Sequence, residues 1–254
     1  MPISLGIGTA ITRGGGTAWS PLSVSGLQFW VDASDATTLY TDSTLTTLAV
    51  SDGDVVGGWK DKSGNSRNAL QTDGTKKPLL KLAIINGRNA ARFNSTTTLN
   101  IGDYFKHQQI SVVAVLKITT TGICVPFSRG GSGNYDPAVA LIYNRSGTNT
   151  SASFNPSGTP AFVNVSITQN QTSTVFMSAD GSTLTNTTNG TTVTAVQSGA
   201  LQFNTNTVQI GQLDGDSGLF AAGDYCEFLV YSQALTGSDK ANVLSYLQAK
   251  WGTP

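Results

Sequence analysis

The stretch SVVAVLKI, residues 111–118, is apolar at all five of its central positions. An extended strand that is apolar on both faces belongs in the middle of a sheet, where both faces are covered. In VNVSIT, residues 163–168, the apolar residues Val163, Val165 and Ile167 instead alternate with polar ones. This second pattern is typical of a strand with one buried and one solvent-exposed face.

Similar short segments recur along the chain, separated by turns rich in Gly, Asn and Asp. We predict strands at residues 27–31, 79–85, 90–93, 111–118, 138–143, 161–167, 174–178, 191–196, 207–211 and 225–231. Many short strands with turn residues between them are typical of all-β proteins. The sequence therefore predicts a two-sheet antiparallel jelly-roll sandwich.

One helix is predicted near the C terminus, over about residues 238–251. The segment 236–239 matches a capping box in which Asp replaces the usual Glu or Gln. Leu244, Leu247 and Trp251 then recur at helical spacing, and a glycine follows. We expect this apolar stripe to cover an end or an edge of the sandwich.

Composition excludes several classes of function. The 254 residues include 15 basic and 15 acidic side chains, one His and two Cys. Zero net charge without a basic cluster argues against nucleic acid binding, and the apolar runs are too short to insert in a membrane. The first residues lack the pattern of a signal peptide. Cys124 and Cys226 lie in apolar strand-like runs, so buried free thiols are favoured over a disulfide.

The N-terminal segment, residues 1–25, differs from the domain at residues 26–254. Ile3, Leu5 and Ile7 alternate with Ser and Gly, and a triple glycine follows. We interpret the segment as an arm and hinge that anchor the domain on other proteins, with a homo-oligomer expected. The alternative is that the arm packs along its own jelly roll.

The scarcity of glutamate argues against catalysis. Glu227 is the only Glu among 15 acidic residues, whereas most glycosidases use two facing carboxylates. We predict that the protein is not an enzyme and has no catalytic residue. Glu227 is instead expected to be structural, accepting hydrogen bonds from the turn at residues 59–65.

Two candidate binding sites remain. Asp214, Asp216 and Asp224 could supply oxygens to Ca²⁺, although a solvated Asp-Gly turn is the favoured interpretation and no other cofactor is expected. Trp30 and Trp59 are the candidates for stacking on sugar rings, although a core or framework role is the favoured interpretation for both.

Five segments carry a family resemblance: GLQFWVDASD (26–35), GWKDKSGN (58–65), NGRNAARF (86–93), GDYCEFLVYSQAL (223–235) and LSYLQAKWG (244–252). Their order resembles that of LamG-like, concanavalin A-like jelly-roll domains. The resemblance implies two stacked antiparallel sheets with the first and last strands close together. Such domains recur in bacteriophage tail, fibre and head-surface proteins and in secreted carbohydrate-binding proteins.

These observations lead to three functional hypotheses. The first is a structural virion protein, made in the host cytoplasm, that displays a lectin-like jelly roll on the particle. Its arm would bind other virion proteins and its surface would adhere to host glycans. The alternatives are a carbohydrate-binding module of a secreted protein and a glycan-processing enzyme.

Overall fold

The computed structural model describes residues 19–130, 138–156, 159–203, 205–213 and 218–254. These residues form 17 strands, one α-helix and two short 3-10 turns at Pro21–Ser23 and Gly74–Lys76. The strands are β1 (Leu27–Asp32), β2 (Leu39–Tyr40), β3 (Gly58–Trp59), β4 (Ala69–Leu70), β5 (Leu79–Ile85), β6 (Arg88–Phe93), β7 (Leu99–Gly102), β8 (Ile110–Ile118), β9 (Cys124–Arg129), β10 (Val139–Tyr143), β11 (Asn149–Phe154), β12 (Ala161–Ser166), β13 (Ser173–Ala179), β14 (Thr183–Thr188), β15 (Thr191–Val196), β16 (Val208–Ile210) and β17 (Gly223–Tyr231). The helix is α1 (Gly237–Trp251).

The strands form two antiparallel sheets. The eight-stranded sheet has the order β15-β14-β13-β8-β17-β6-β5, with β1 also paired to β17. The nine-stranded sheet has the order β12-β11-β10-β9-β16-β7-β4-β3-β2. The first and last strands pair antiparallel, from Leu27↔Tyr231 to Asp32↔Glu227. The predicted all-β jelly-roll sandwich is thus confirmed.

All ten predicted strands are present, with ends that shift by a few residues. The apolar stretch at residues 111–118 lies in β8, which pairs with β13 and β17 at the centre of its sheet, as predicted. Seven strands were not predicted: β2, β3, β4, β7, β9, β11 and β14. Four of these have only two to four residues, too few to show a period.

The main core lies between the sheets, and a second core lies under α1. Val243, Leu247 and Trp251 of α1 pack on the outer face of the eight-stranded sheet. The helix prediction is confirmed, but Val243 replaces Leu244 in the buried stripe, since Leu244 is only partly buried. Thr236 caps the helix without the side-chain hydrogen bond that a capping box requires, so that part of the prediction was wrong.

Cys124 and Cys226 are buried free thiols, which confirms the favoured interpretation over a disulfide. Burial raises the pKa of Cys124 to about 12 and that of Cys226 well above its ordinary value. Among the described residues, no helix is long and apolar enough to cross a membrane.

Candidate functional site

The two tryptophans considered for sugar stacking are in the interior. Trp59 is fully buried and Trp30 is 6% exposed. The indole N–H of Trp30 donates to Glu227 at 2.7 Å, and the Lys62 ammonium lies 4.3 Å from the ring centroid of Trp30. Neither ring offers a free face to a ligand, so their position corresponds to the framework interpretation.

Of the three Asp residues considered for calcium, only Asp224 lies among the described residues. Asp214 and Asp216 lie outside the described residues, as do Ile3, Leu5 and Ile7 of the predicted arm. Asp224 is buried and binds Arg92 through both oxygens, at 2.7 and 3.1 Å. In the described part of the chain, no three His, Cys, Asp or Glu side chains are grouped as metal ligands.

Glu227 lies in a buried cluster between β17 and α1. Its Oε1 accepts from the indole of Trp30, and its Oε2 accepts from the indole of Trp251 at 2.7 Å and from Lys250 at 2.8 Å. The Tyr246 hydroxyl adds a 3.3 Å bond to Oε1. The hydrogen-bond donors to Glu227 therefore lie on β1 and α1. The prediction that they come from the turn at residues 59–65 was wrong.

Lysines connect this cluster to the end of β1. Lys250 lies 2.7 Å from Asp32, and Lys62 bridges Asp32 and Asp35 at 2.9 and 2.8 Å. Burial raises the pKa of Glu227, and the nearby Asp32 raises it further. Burial also acts to raise the pKa of Asp32, but Lys250, Ser34 and Lys62 lower it below its ordinary value. Every carboxylate here is bound to protein donors, so the cluster fastens α1 to the sandwich.

An open groove on the outer face of the nine-stranded sheet is the candidate site. Its volume is about 550 Å³, within the range of ligand sites. We call it the amide groove after the five amide side chains in its polar lining, which consists of Asn68, Gln71, Thr72, Lys76, Thr98, Asn100, Gln209 and Gln212. Leu213 and Leu219 cover the neighbouring part of the same face by packing on Val125 and Ile142.

Strand register aligns the groove's side chains. Asn100 of β7 pairs directly with Gln209 of β16 on one side and with Leu70 of β4 on the other. Residues directly opposite each other in antiparallel strands share a face of the sheet. Gln71 follows Leu70 at the end of β4. Register thereby places Asn100 and Gln209 side by side on one surface, and Gln71, just beyond the end of β4, lines the same groove.

Hydrogen bonds to the framework hold each amide in a fixed orientation. Gln71 donates to the Thr98 carbonyl at 2.9 Å and accepts from the Asp73 N–H at 3.0 Å. Asn100 donates to the Thr207 hydroxyl and accepts from the Gly102 N–H, both at 2.8 Å.

Gln209 accepts from the Thr98 hydroxyl at 2.9 Å and donates to the Thr207 hydroxyl at 3.0 Å. A carboxamide has two donor hydrogens and two acceptor lone pairs. Within the described residues, these bonds leave one donor hydrogen and one acceptor lone pair unused on each of the three amides, of which Gln209 is 8% exposed. Such an arrangement can bind a neutral polyol, whose hydroxyl groups both donate and accept.

An exposed aromatic ring lies beside Gly102, one of the residues that line the groove. Tyr104 is 41% exposed, and its ring lies against Gly102, where an added Cβ would come within 3.0 Å of the ring. The Arg67 guanidinium lies 5.0 Å from the ring centroid, and Arg67 is itself held by Gln28 at 2.7 Å. The apolar face of a ring fixed in this way can pack against the C–H groups of a sugar.

None of the sequence patterns predicts these groove residues. Asn100 and Gln209 each lie between two buried apolar residues of a short strand, which is the one local signal. That signal marks an outward-facing polar residue but not its neighbours. Finding the groove requires knowing that β7 pairs with β16, two strands that lie about a hundred residues apart in the sequence.

Solved structures share this sandwich fold, whereas no protein-family model and no curated protein matches the sequence. The binding domain of Paraclostridial Mosquitocidal Protein 1 superposes with a TM-score of 0.62 at 11% identity, over 92% of this chain and 56% of that one. Domain 4 of AbnA, an extracellular GH43 arabinanase from Geobacillus stearothermophilus, in complex with arabinotriose, has a TM-score of 0.57 at 16% identity. That match covers 85% of this chain and 97% of the AbnA domain.

A Trypanosoma rangeli sialidase in complex with sialic acid also matches, with a TM-score of 0.54 at 13% identity. The match covers 89% of this chain but 33% of the sialidase. This chain thus spans about half of the mosquitocidal chain and a third of the sialidase. At these identities the similarity establishes the fold alone, a jelly-roll sandwich.

Proposed function

We propose that this protein binds carbohydrate in the amide groove and does not cleave it. The observation that carries the proposal is the set of Gln71, Asn100 and Gln209, each oriented by the framework with a donor and an acceptor left unused. Neighbouring sugar hydroxyls match such donor–acceptor pairs, and Tyr104 adds an apolar surface beside Gly102.

Two further observations support this choice. The AbnA domain that shares the fold over nearly its whole length was solved with arabinotriose. The only Glu of the chain, Glu227, is buried and bound by Trp30, Trp251 and Lys250, away from the groove. The lining of the groove, which has no carboxylate in the described residues, supports binding without hydrolysis.

Calorimetric titration with neutral oligosaccharides, chosen from a glycan array, tests the proposal. Asn100→Ala and Gln209→Ala should each weaken binding about 3–10-fold, the effect of one or two neutral hydrogen bonds. Tyr104→Ala should weaken binding about 3–10-fold through lost ring contact. Gln202→Ala, an exposed amide outside the groove, is the matched control. Binding that persists unchanged in the Asn100→Ala/Gln209→Ala double variant would contradict the proposal.

The virion role predicted from the sequence stays a prediction, as does anchoring by residues 1–25. Glycan binding suits a particle that adheres to a host as well as a secreted module. Detection of the chain by mass spectrometry in purified particles distinguishes the two settings.

A further inference from the structure

The eight-stranded sheet ends on β15, and the outer side of this strand is open. β15 pairs with β14 in continuous register. The N–H of Gln197, which follows β15, donates to the carbonyl of Ser182. Because backbone groups in an antiparallel ladder alternate in direction, every second residue of β15 from Thr192 onward directs its N–H and C=O away from β14. Among the described residues, nothing bonds to these outward groups.

The sequence of β15 has none of the features that prevent edge strands from pairing. Natural edge strands are commonly protected by charges, prolines or bulges. β15 reads TTVTAV, without charge or proline, and its ladder contains no bulge. Val193 is 40% and Val196 81% exposed. The strand is therefore a flat, uncharged and β-branched surface that can accept another strand.

The opposite edge of the same sheet, β5, is covered. Gly53 donates to the Leu80 carbonyl and Leu80 donates to the Asp54 carbonyl, both at 2.8 Å. The Asp52 carboxylate accepts from the Leu82 N–H at 2.9 Å and also binds Lys81. The outer side of β1, which pairs with β17 off the main strand order, is also covered: the Trp30 N–H donates to Asp61 at 2.9 Å and the Trp30 carbonyl accepts from the Lys62 N–H at 2.7 Å. Within the described residues, the eight-stranded sheet thus has a single open edge. One pairing event would leave it with none.

We propose that β15 pairs antiparallel with β15 of a second copy of this chain, which joins the two eight-stranded sheets. The copies match because each edge is uncharged and rich in β-branched residues. A two-fold axis uses both open edges and closes the assembly as a dimer. This inference does not depend on the amide groove.

The pairing has a defined register. Val193 pairs with Asn186, whose side chain bonds across to the other sheet, so Val193 is on the inner face of the sandwich. A two-fold axis perpendicular to the sheet keeps inner faces together and places Val193 of the two copies opposite each other. This is a non-hydrogen-bonded pair, with Cα atoms about 4.5 Å apart.

Analytical ultracentrifugation of the full chain over about 1–500 µM tests the proposal. We expect a reversible dimer. Val193→Lys should raise the dimer dissociation constant at least about tenfold, because like charges then lie directly opposite. Leu82→Lys, on an exposed position of the covered edge β5, is the matched control and should leave the constant unchanged. Thermal unfolding monitors whether each variant remains folded.

Cross-linking provides a second measurement. Val193→Cys should form an intermolecular disulfide on mild oxidation, since its expected Cα separation suits that bond and both native cysteines are buried. A chain that stays monomeric over the whole concentration range overturns the proposal. A dimer that survives Val193→Lys also overturns it. A dimer lost on deletion of residues 2–13 identifies the N-terminal arm as the occupant of β15 and overturns it as well.

Discussion

Replacing Glu227 with Gln should lower the free energy of unfolding and should have no effect on glycan hydrolysis. In the native structure all four donors around Glu227 point at its carboxylate: two indoles, Lys250 and the Tyr246 hydroxyl. Gln replaces one oxygen with an N–H₂ group. In either orientation of the amide, the indole of Trp30 or that of Trp251 then faces a donor and loses its acceptor.

The size of the loss follows from these contacts. A buried indole N–H without an acceptor costs about 1–3 kcal/mol, and Lys250 loses one of its two carboxylate partners. Breaking a buried ion pair typically costs about 3–5 kcal/mol. Burial raises the pKa of Glu227, which means that ionising it costs free energy that a neutral amide avoids. We therefore expect a loss of about 2–3 kcal/mol, or roughly 5–10 °C in melting temperature.

Urea unfolding measures this loss, with Asp52→Asn as the control for removing one exposed carboxylate, expected to leave the free energy of unfolding nearly unchanged. A Lys250→Met variant completes a double-mutant cycle. Because Glu227 and Lys250 are in contact, their losses should add to more than the loss in the double variant. A Glu227→Gln protein within about 0.5 kcal/mol of wild type would refute the structural role. Sugar release by wild type that Glu227→Gln abolishes would refute the absence of catalysis.

Three further predictions follow from local contacts. Burial acts to raise the pKa of Asp35, but Lys62 and Thr37 lower it from 3.8 to about 2. The stability that ionised Asp35 contributes is therefore present above pH 3.8 and lost as the pH falls towards 2. In an acid titration the unfolding free energies of Asp35→Asn and wild type should converge in that range. Gly211→Ala should cost about 2–4 kcal/mol in urea unfolding, because Gly211 has φ +93° and an added Cβ would lie 2.6 Å from Phe93. The control Gly181→Ala has a similar φ of +96° but open space around the added Cβ, so it should cost only about 1 kcal/mol. EDTA should shift the melting temperature little, whereas a shift of several degrees that Ca²⁺ reverses would establish a metal site.

The sequence predicted those strands whose side chains are apolar in a regular pattern. β11 and β14 lack that pattern, because they bury polar side chains between the sheets. The Thr150 and Thr188 hydroxyls lie 2.7 Å apart, and the Asn186 amide donates to the Thr150 and Val163 carbonyls at 3.1 and 2.9 Å. Buried polar groups survive when they are hydrogen-bonded. Their partners come from other strands, so the pattern of one strand cannot reveal them.

Residue type alone was a poor guide to the candidate site. Trp30 was considered as a sugar platform because exposed tryptophans stack on sugars, but its indole N–H is needed by buried Glu227. Asn100 and Gln209 attracted no attention, because single amides are common in a chain rich in polar residues. Their meaning comes from register, which brings them opposite each other on an outer face. Register depends on pairings across the whole sheet, and local sequence does not contain it.

The position of α1 connects the groove with the open edge. Since α1 covers the outer face of the eight-stranded sheet, the outer face of the nine-stranded sheet is the one left for a ligand. Pairing of β15 about an axis perpendicular to the sheet would keep both nine-stranded sheets on the same side of the dimer. Both amide grooves would then face in one direction. Open, polar grooves bind single glycans weakly, but two that face one surface bind with an effective concentration set by their fixed separation. On a glycan-coated surface the wild-type dimer should therefore dissociate more slowly than the Val193→Lys monomer, while both bind a free oligosaccharide with equal affinity per chain.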